Sequence, residues 1–140
     1  MDELTLKFIV PGKPIAKKRP RFVRRGKFVG AYNEQETEEG KFMILCQQQM
    51  KGKGPIPAPF GIHLACRFYM PIPRSWTKKQ RDNFENDGID HVKKPDVDNL
   101  VKFVKDCLNG IAWHDDSQVV TLSAEKYYDD VPRTVIDIEW

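Results

Sequence analysis

The sequence predicts an α+β domain in which a small mixed or antiparallel sheet of about four strands packs against two or three helices. Two observations predict this class. Apolar and polar residues alternate in segments near both ends and in the middle of the chain, and one later segment has the apolar period of a helix. Because the chain has 140 residues, we expect a single domain with one core over residues 1–140.

Four segments have the pattern of β-strands. Apolar residues alternate in residues 4–10 (LTLKFIV) and again in residues 62–70 (IHLACRFYM). Residues 117–128 (SQVVTLSAEKYY) and 133–140 (RTVIDIEW) are rich in β-branched side chains. Only the short link DDVP separates the last two segments, so we expect them to form a terminal antiparallel pair.

Three segments are predicted to be helical. The clearest runs from about residue 98 to residue 109, where apolar residues recur at helical spacing. Residues 33–50 form a second candidate, with Asn33 as a possible cap and acidic residues in its first turns. Residues 75–86 suit a short polar helix that Gly88 would end. The basic stretch before residue 33 is either a loop or a ragged hairpin.

Composition excludes several classes of protein. No apolar run approaches the roughly 18 residues of a membrane span, and the first residues lack the pattern of a signal peptide, so we expect a cytoplasmic protein. The three cysteines, Cys46, Cys66 and Cys107, lie among apolar residues and form no CxxC pair. This spacing argues against a disulfide framework or a zinc site and predicts reduced thiols in the core.

A basic arm extends over residues 12–29, where every charged residue is positive although the net charge of the whole chain is only +3. Such a block attracts a polyanion, although a solvated arm without a partner has the same composition. We interpret it as a DNA-binding surface that acts through phosphates. The candidate residues, including the two lysines that begin the acidic motif described next, are Lys17, Lys18, Arg19, Arg21, Arg24, Arg25, Lys27, Lys93 and Lys94.

The acidic motif KKPDVDNL places Asp96 and Asp98 one residue apart at the start of the clearest helix. Pro95 favours an extended backbone before the helix, and side chains at i and i+2 of an extended backbone share a face. Two carboxylates this close repel each other unless a cation lies between them, and oxygen ligands suit Mg²⁺ or Mn²⁺. The simpler alternative is that Asp98 only caps the helix.

A second acidic pair, Asp115 and Asp116, is able to reach the first. The helix carries the chain about 16 Å from Asp98, and residues 110–116, if extended, return by roughly 23 Å. Gly110 permits the reversal, so three or four carboxylates can converge at the beginning of the helix. The alternative is an ordinary turn before a strand.

Lys102 lies one helical turn after Asp98 and on the same face. It makes either an ordinary ion pair along the helix or a contact with a scissile phosphate. Carboxylates that hold Mg²⁺, a nearby lysine and a basic arm are the parts that phosphodiester hydrolysis needs. No histidine has metal-site spacing, and His114, beside the second acidic pair, is the only one with a candidate role.

The segment KKPDVDNLVKFVKDCLNGIAWHDDSQVV resembles the signature of the RusA-type Holliday junction resolvases. The resemblance is carried by D-x-D-N-L, a lysine one turn later, a helix ending in L-N-G, and D-D-x-Q-V. It implies a homodimeric α+β endodeoxyribonuclease, often encoded by phages or prophages, that cuts four-way DNA junctions in pairs with Mg²⁺ or Mn²⁺.

The same resemblance implies roles for individual residues. Asp96, Asp98 and Asp116 correspond to the essential acidic residues of the family, and Lys102 corresponds to its active-site lysine. Asp115 is the adjacent acid, so the implied metal ligands are Asp96, Asp98, Asp115 and Asp116. The resemblance is looser in the rest of the chain, because the basic arm differs from the proline- and asparagine-containing loop of some members and residues 77–92 do not align.

Two other functions remain open from the sequence. A basic DNA-binding protein without catalytic activity would keep the arm and use the acids structurally, and it would not nick DNA in Mn²⁺. A DxD nucleotide-sugar transferase would need a Gly-rich phosphate loop or a βαβ nucleotide unit, which the sequence lacks.

Overall fold

The computed structural model describes residues 4–18, 21–25, 28–32 and 36–140, with side chains in residues 4–18 and 37–140. Its elements follow the predicted order and confirm the α+β class. They are β1 (Thr5–Pro11), β2 (Arg21–Arg25), β3 (Phe28–Tyr32), α1 (Glu36–Gln49), β4 (Ile62–Pro71), α2 (Lys78–Asp87), α3 (Val97–Leu108), a short 3₁₀ turn (Asp116–Gln118), β5 (Val119–Asp129) and β6 (Arg133–Glu139).

Four strands form a mixed sheet in the order β1-β6-β4-β5. The strands β1 and β6 pair antiparallel, as do β6 and β4, whereas β4 and β5 run parallel. The strands β2 and β3 pair only with each other, so the basic stretch forms a hairpin rather than a loop. This hairpin carries part of the basic arm.

The expectation that β5 and β6 pair with each other is wrong, because β4 lies between them. Residues 130–132 carry the chain across the end of β4, where Pro71 faces Asp129 and Tyr69 faces Arg133. The link contains a proline and no glycine, so it lacks the residues that favour a tight two-residue hairpin. The alternating apolar residues of β4 are buried in the core, and its central position provides hydrogen-bonding neighbours on both edges.

The core lies on the side of the sheet that faces α1 and α3. Six residues of α3 are buried, and Phe103 meets Phe42 of α1 edge to face with ring centroids 5.3 Å apart. Burying a side chain such as Phe103 stabilises the fold by roughly 1.5–3 kcal/mol. The three cysteines are free and buried as predicted, and burial raises the pKa of each thiol to about 12.

The polar helix α2 begins at Lys78, three residues later than predicted, and ends before Gly88 as predicted. Thr77 and Gln80 form a reciprocal capping box at its start, and Gly88 ends it with a positive φ of 76°. The helix α1 begins near the predicted position, but Asn33, its candidate cap, lies outside the described residues. No helix in the described part of the chain is long and apolar enough to cross a membrane.

Candidate active site

The acidic motif enters α3 through bends at residues 93–95, and the extended backbone predicted there is found at Asp96 alone. Asp96 occupies the N-cap position with φ −69° and ψ 145°, but its side chain makes no capping hydrogen bond. Asp98 lies within the first helical turn, so the hypothesis that it caps the helix is wrong. Both residues are exposed. Neither carboxylate therefore caps the helix, although the negative charge of Asp98 in the first turn interacts favourably with the positive end of the helix dipole.

A cleft of about 340 Å³ runs between α3 and the edge strand β5. It brings Asp98 and Lys102 of α3 together with Asp116, which lies 14 residues after Lys102 in the sequence. The predicted return of the chain from the end of α3 to its first turns is therefore confirmed. The cleft is lined by Asp98, Val101, Lys102, Lys105, Asp106, Asp116 and Leu122.

The return begins at Gly110, whose φ of 84° is a conformation that other residues rarely adopt. Its N–H donates to the carbonyl of Trp113 at 2.8 Å, which closes a tight reversal. The Trp113 ring is fully buried, and its Nε1–H donates to Oδ1 of Asp116 at 2.9 Å. A rigid aromatic group thus fixes one carboxylate oxygen of Asp116 and sets the direction of the other.

The two acids of the second pair have different roles. Asp115 is exposed and accepts a hydrogen bond from the N–H of Ser117 at 3.0 Å, which caps the 3₁₀ turn. Hydrogen bonding by the Ser117 side chain, and then by its main-chain N–H, lowers the pKa of the Asp115 carboxyl. Asp116 faces the cleft instead. Asp115 therefore stabilises the turn, whereas Asp116 is directed toward α3.

Gln118 holds the loop that carries both acids, and the sequence reasoning missed this role. Its side-chain oxygen accepts from the main-chain N–H groups of His114 and Asp115 at 2.8 and 3.0 Å. Its Nε2 group donates to the carbonyls of Ile56, Pro57 and Phe60 at 3.0–3.3 Å. A buried polar side chain must find such partners, and the glutamine of D-D-x-Q-V was the available signal.

The structure does not gather all four predicted metal ligands. Asp96 and Asp115 do not line the cleft, and no group of three or more metal-ligating side chains occurs within the described ranges. The predicted convergence thus extends to Asp98 and Asp116 only. Asp98 is helical, so the alternation that would align it with Asp96 does not apply. Two carboxylates nevertheless fit Mg²⁺, which commonly binds one or two carboxylates and completes its shell with water and phosphate.

Lys17 anchors the beginning of the basic arm beside the cleft. Its ammonium contacts Oε1 of Glu39 at 2.7 Å and Oδ2 of Asp106 at 3.3 Å, and its N–H donates to the carbonyl of Asn99 at 2.9 Å. The hydrogen bond with Glu39 is the main reason that the pKa of Lys17 is raised. Lys17, which was predicted to contact phosphate, thus has two acidic partners within the protein.

The other basic candidates have varied positions. Lys93 and Lys94, the first two residues of the acidic motif, are exposed, and Lys18 is exposed beside Lys17. Arg21, Arg24 and Arg25 belong to β2, which is described by its backbone. Arg19 and Lys27 lie outside the described residues. His114 is exposed and does not line the cleft.

Two comparisons relate the chain to known proteins. The family described as Endodeoxyribonuclease RusA matches residues 11–139, which include the cleft and the segment that leads into it. The YqaN protein of Bacillus subtilis (strain 168), described as uncharacterized, is 35% identical over 136 residues, covering 95% of this chain and 94% of the relative. The match therefore extends over nearly the whole fold.

Proposed function

Because the chain belongs to the RusA family of endodeoxyribonucleases, we propose that it resolves four-way DNA junctions by metal-dependent hydrolysis of phosphodiester bonds. The observation that supports this proposal most strongly is the convergence of Asp98, Lys102 and Asp116 in one cleft. Two oxygen ligands and a cationic donor at one place suit a phosphodiester, whose hydrolysis builds negative charge on the phosphate oxygens.

The proposed cofactor is Mg²⁺, with Mn²⁺ as an alternative. When bound, such an ion polarises a phosphate oxygen and lowers the pKa of a water molecule for in-line attack. Asp98 and Asp116 would hold it in the cleft. Asp96 would contribute from the N-cap position that precedes Asp98, and Asp115 would contribute through the carboxylate oxygen that does not cap the 3₁₀ turn.

The residues of the chain have separate tasks in this proposal. The Trp113 indole orients Asp116, so that the oxygen facing the cleft does not rotate away. The Lys102 ammonium donates to a non-bridging phosphate oxygen and offsets the charge that grows there during cleavage. The exposed carboxylates would repel DNA without a cation, so metal and substrate are expected to bind together.

The basic arm supports the proposed DNA contacts. It is joined through Lys17 to the helix that carries Asp98 and Lys102. Its remaining cations, together with Lys93 and Lys94, would contact phosphates and position the duplex without reading sequence. We also propose a homodimer, because two symmetry-related strands of one junction require two related active sites. Paired, symmetric incision would follow from that arrangement.

The test is cleavage of an end-labelled four-way junction in Mg²⁺, with linear duplex of the same sequence as the substrate control. We expect Asp98→Asn, Asp116→Asn and Lys102→Met each to lower the cleavage rate by about 100-fold or more while junction binding persists. Asp82→Asn, an exposed residue of α2, is the matched control and should cleave at the wild-type rate.

Two results would contradict the proposal. Binding of the junction without any nicking in Mg²⁺ or Mn²⁺ would indicate a DNA-binding protein without catalytic activity. Wild-type cleavage rates in both Asp98→Asn and Asp116→Asn would place the active site elsewhere.

A further inference from the structure

Lys126 reaches from β5 to the segment that leads into the acidic motif. It faces Phe68 across the parallel β4–β5 pair and shares the helix-facing side of β5 with Leu122, which lines the cleft. Its ammonium donates to the carbonyl of Lys93 at 2.9 Å and to that of Pro95 at 3.0 Å. The carbonyl of Pro95 belongs to the peptide bond whose nitrogen is that of Asp96.

The partners of this ammonium are unusual. Lys126 is half-buried, and within the described ranges it forms no ion pair with an acidic side chain. A partly desolvated cation needs compensation, and here two main-chain carbonyls supply it. Since both carbonyls lie on one short segment of otherwise irregular backbone, the lysine fixes the position of that segment relative to β5.

A second contact holds the same segment two residues further along β5. The His91 ring packs against Tyr128 with centroids 4.7 Å apart, and Tyr128 also contacts Trp76 at 4.8 Å. Burial, and then the nearby charge of Lys126, lower the pKa of His91, in agreement with their closeness. Residues 91–95 are therefore attached at both ends to one side of one strand.

We propose that Lys126 is a positioning residue for the active site, which holds residues 93–95 so that Asp96 and the first turn of α3 are presented to the metal and the phosphate. This inference rests on the proposed function. Lys126 itself need not touch DNA or metal, because its donors are directed at the two carbonyls. Its role is to hold residues 93–95, an exposed segment before α3, in one position against β5.

The experiment compares Lys126→Met, which keeps the length of the side chain but removes the ammonium, with Lys126→Arg and Lys7→Met. Lys7 is exposed on β1, so its substitution removes the same charge without the carbonyl contacts. Hydrogen exchange is measured on the free protein, without DNA or metal. We expect K126M to exchange the amides of Lys94 and residues 96–98 at least about 10-fold faster, with K126R and K7M close to wild type; Pro95 has no amide hydrogen.

The second readout is the Mg²⁺ concentration that gives half-maximal junction cleavage. K126M should require several-fold more Mg²⁺, whereas its junction affinity in Ca²⁺ should match that of K7M. Melting temperature is measured first, and if K126M does not fold, Lys126→Gln replaces it in both measurements.

The outcomes separate the two proposals. Unchanged exchange in residues 94–98 of the folded variant, or an unchanged Mg²⁺ requirement, would overturn the positioning role. A loss of junction affinity beyond that of K7M would instead make Lys126 a DNA contact and would also overturn it. If the wild type does not cleave at all, the proposed function fails, and hydrogen exchange still decides whether Lys126 holds the segment.

Discussion

Substitution of Gln118 by methionine tests whether the loop that carries the second acidic pair is held from within the fold. Methionine has nearly the same length and shape but cannot replace the amide hydrogen bonds. Gln118 is 6% exposed, so water has little access to the groups that lose their partners. The perturbation is therefore chemical rather than steric.

The magnitude follows from the hydrogen bonds. The side-chain oxygen accepts two, and the two N–H groups of Nε2 supply at most two more to three neighbouring carbonyls. At about 1 kcal/mol for each net hydrogen bond, partly offset by the apolar contacts of methionine, we expect a loss of about 3 kcal/mol in the free energy of unfolding. For a chain of this length, that loss lowers the melting temperature by about 10 °C.

Thermal unfolding followed by circular dichroism measures this change, with Gln48→Met on the exposed side of α1 as the matched control. The control should melt within about 2 °C of wild type, since exposed substitutions rarely exceed 0.5 kcal/mol. Cleavage by Gln118→Met, measured below its melting transition, should also fall because the loop before Asp116 loses its attachment. A melting temperature equal to that of the control would show that the Gln118 amide does not hold this loop.

Two further predictions concern charged residues around the site. Asp115→Ala should destabilise the protein at neutral pH, because hydrogen bonds from Ser117 lower the pKa of this carboxyl in the folded state. The destabilisation should be complete above the ordinary pKa of 3.8 and should vanish as the pH falls through the lower pKa of the folded state. Denaturant unfolding at several pH values measures this change. Lys17→Met should lower the free energy of unfolding by about 1 kcal/mol through loss of its contacts with Glu39 and Asp106, whereas Lys41→Met, at an exposed lysine of α1 measured in the same assay, should not.

The local elements of the fold could be predicted from the sequence because they depend on near neighbours. The apolar period of α3, the capping box and final glycine of α2, and the alternation in β1 and β4 are all properties of short segments. Strand pairing is different, since β5 and β6 are adjacent in sequence but pair with β4. Their residues favour strands without specifying a partner.

The candidate site also combines features that follow from short segments with features that depend on tertiary contacts. The spacing between Asp98 and Lys102 follows from one helical turn, and the reversal at Gly110 brings Asp116 back to them. Asp98 does not cap α3 because the N-cap is Asp96, two residues before it, and of the four predicted metal ligands Asp98 and Asp116 line the cleft. A shift of one residue changes which side chain faces outward, and sequence patterns locate helix ends less accurately than that.

The sequence alone establishes the types of the elements, the pair of carboxylates with a lysine one helical turn away, and the resemblance to a nuclease family that the comparison confirms. Which acid faces the cleft, and which side chains hold it there, depends on how the elements pack. Trp113, Gln118 and Lys126 act through hydrogen bonds to Asp116 or to main-chain groups of other segments. Such contacts leave no periodic pattern in the sequence, because their partners meet only when the sheet and α3 are packed together.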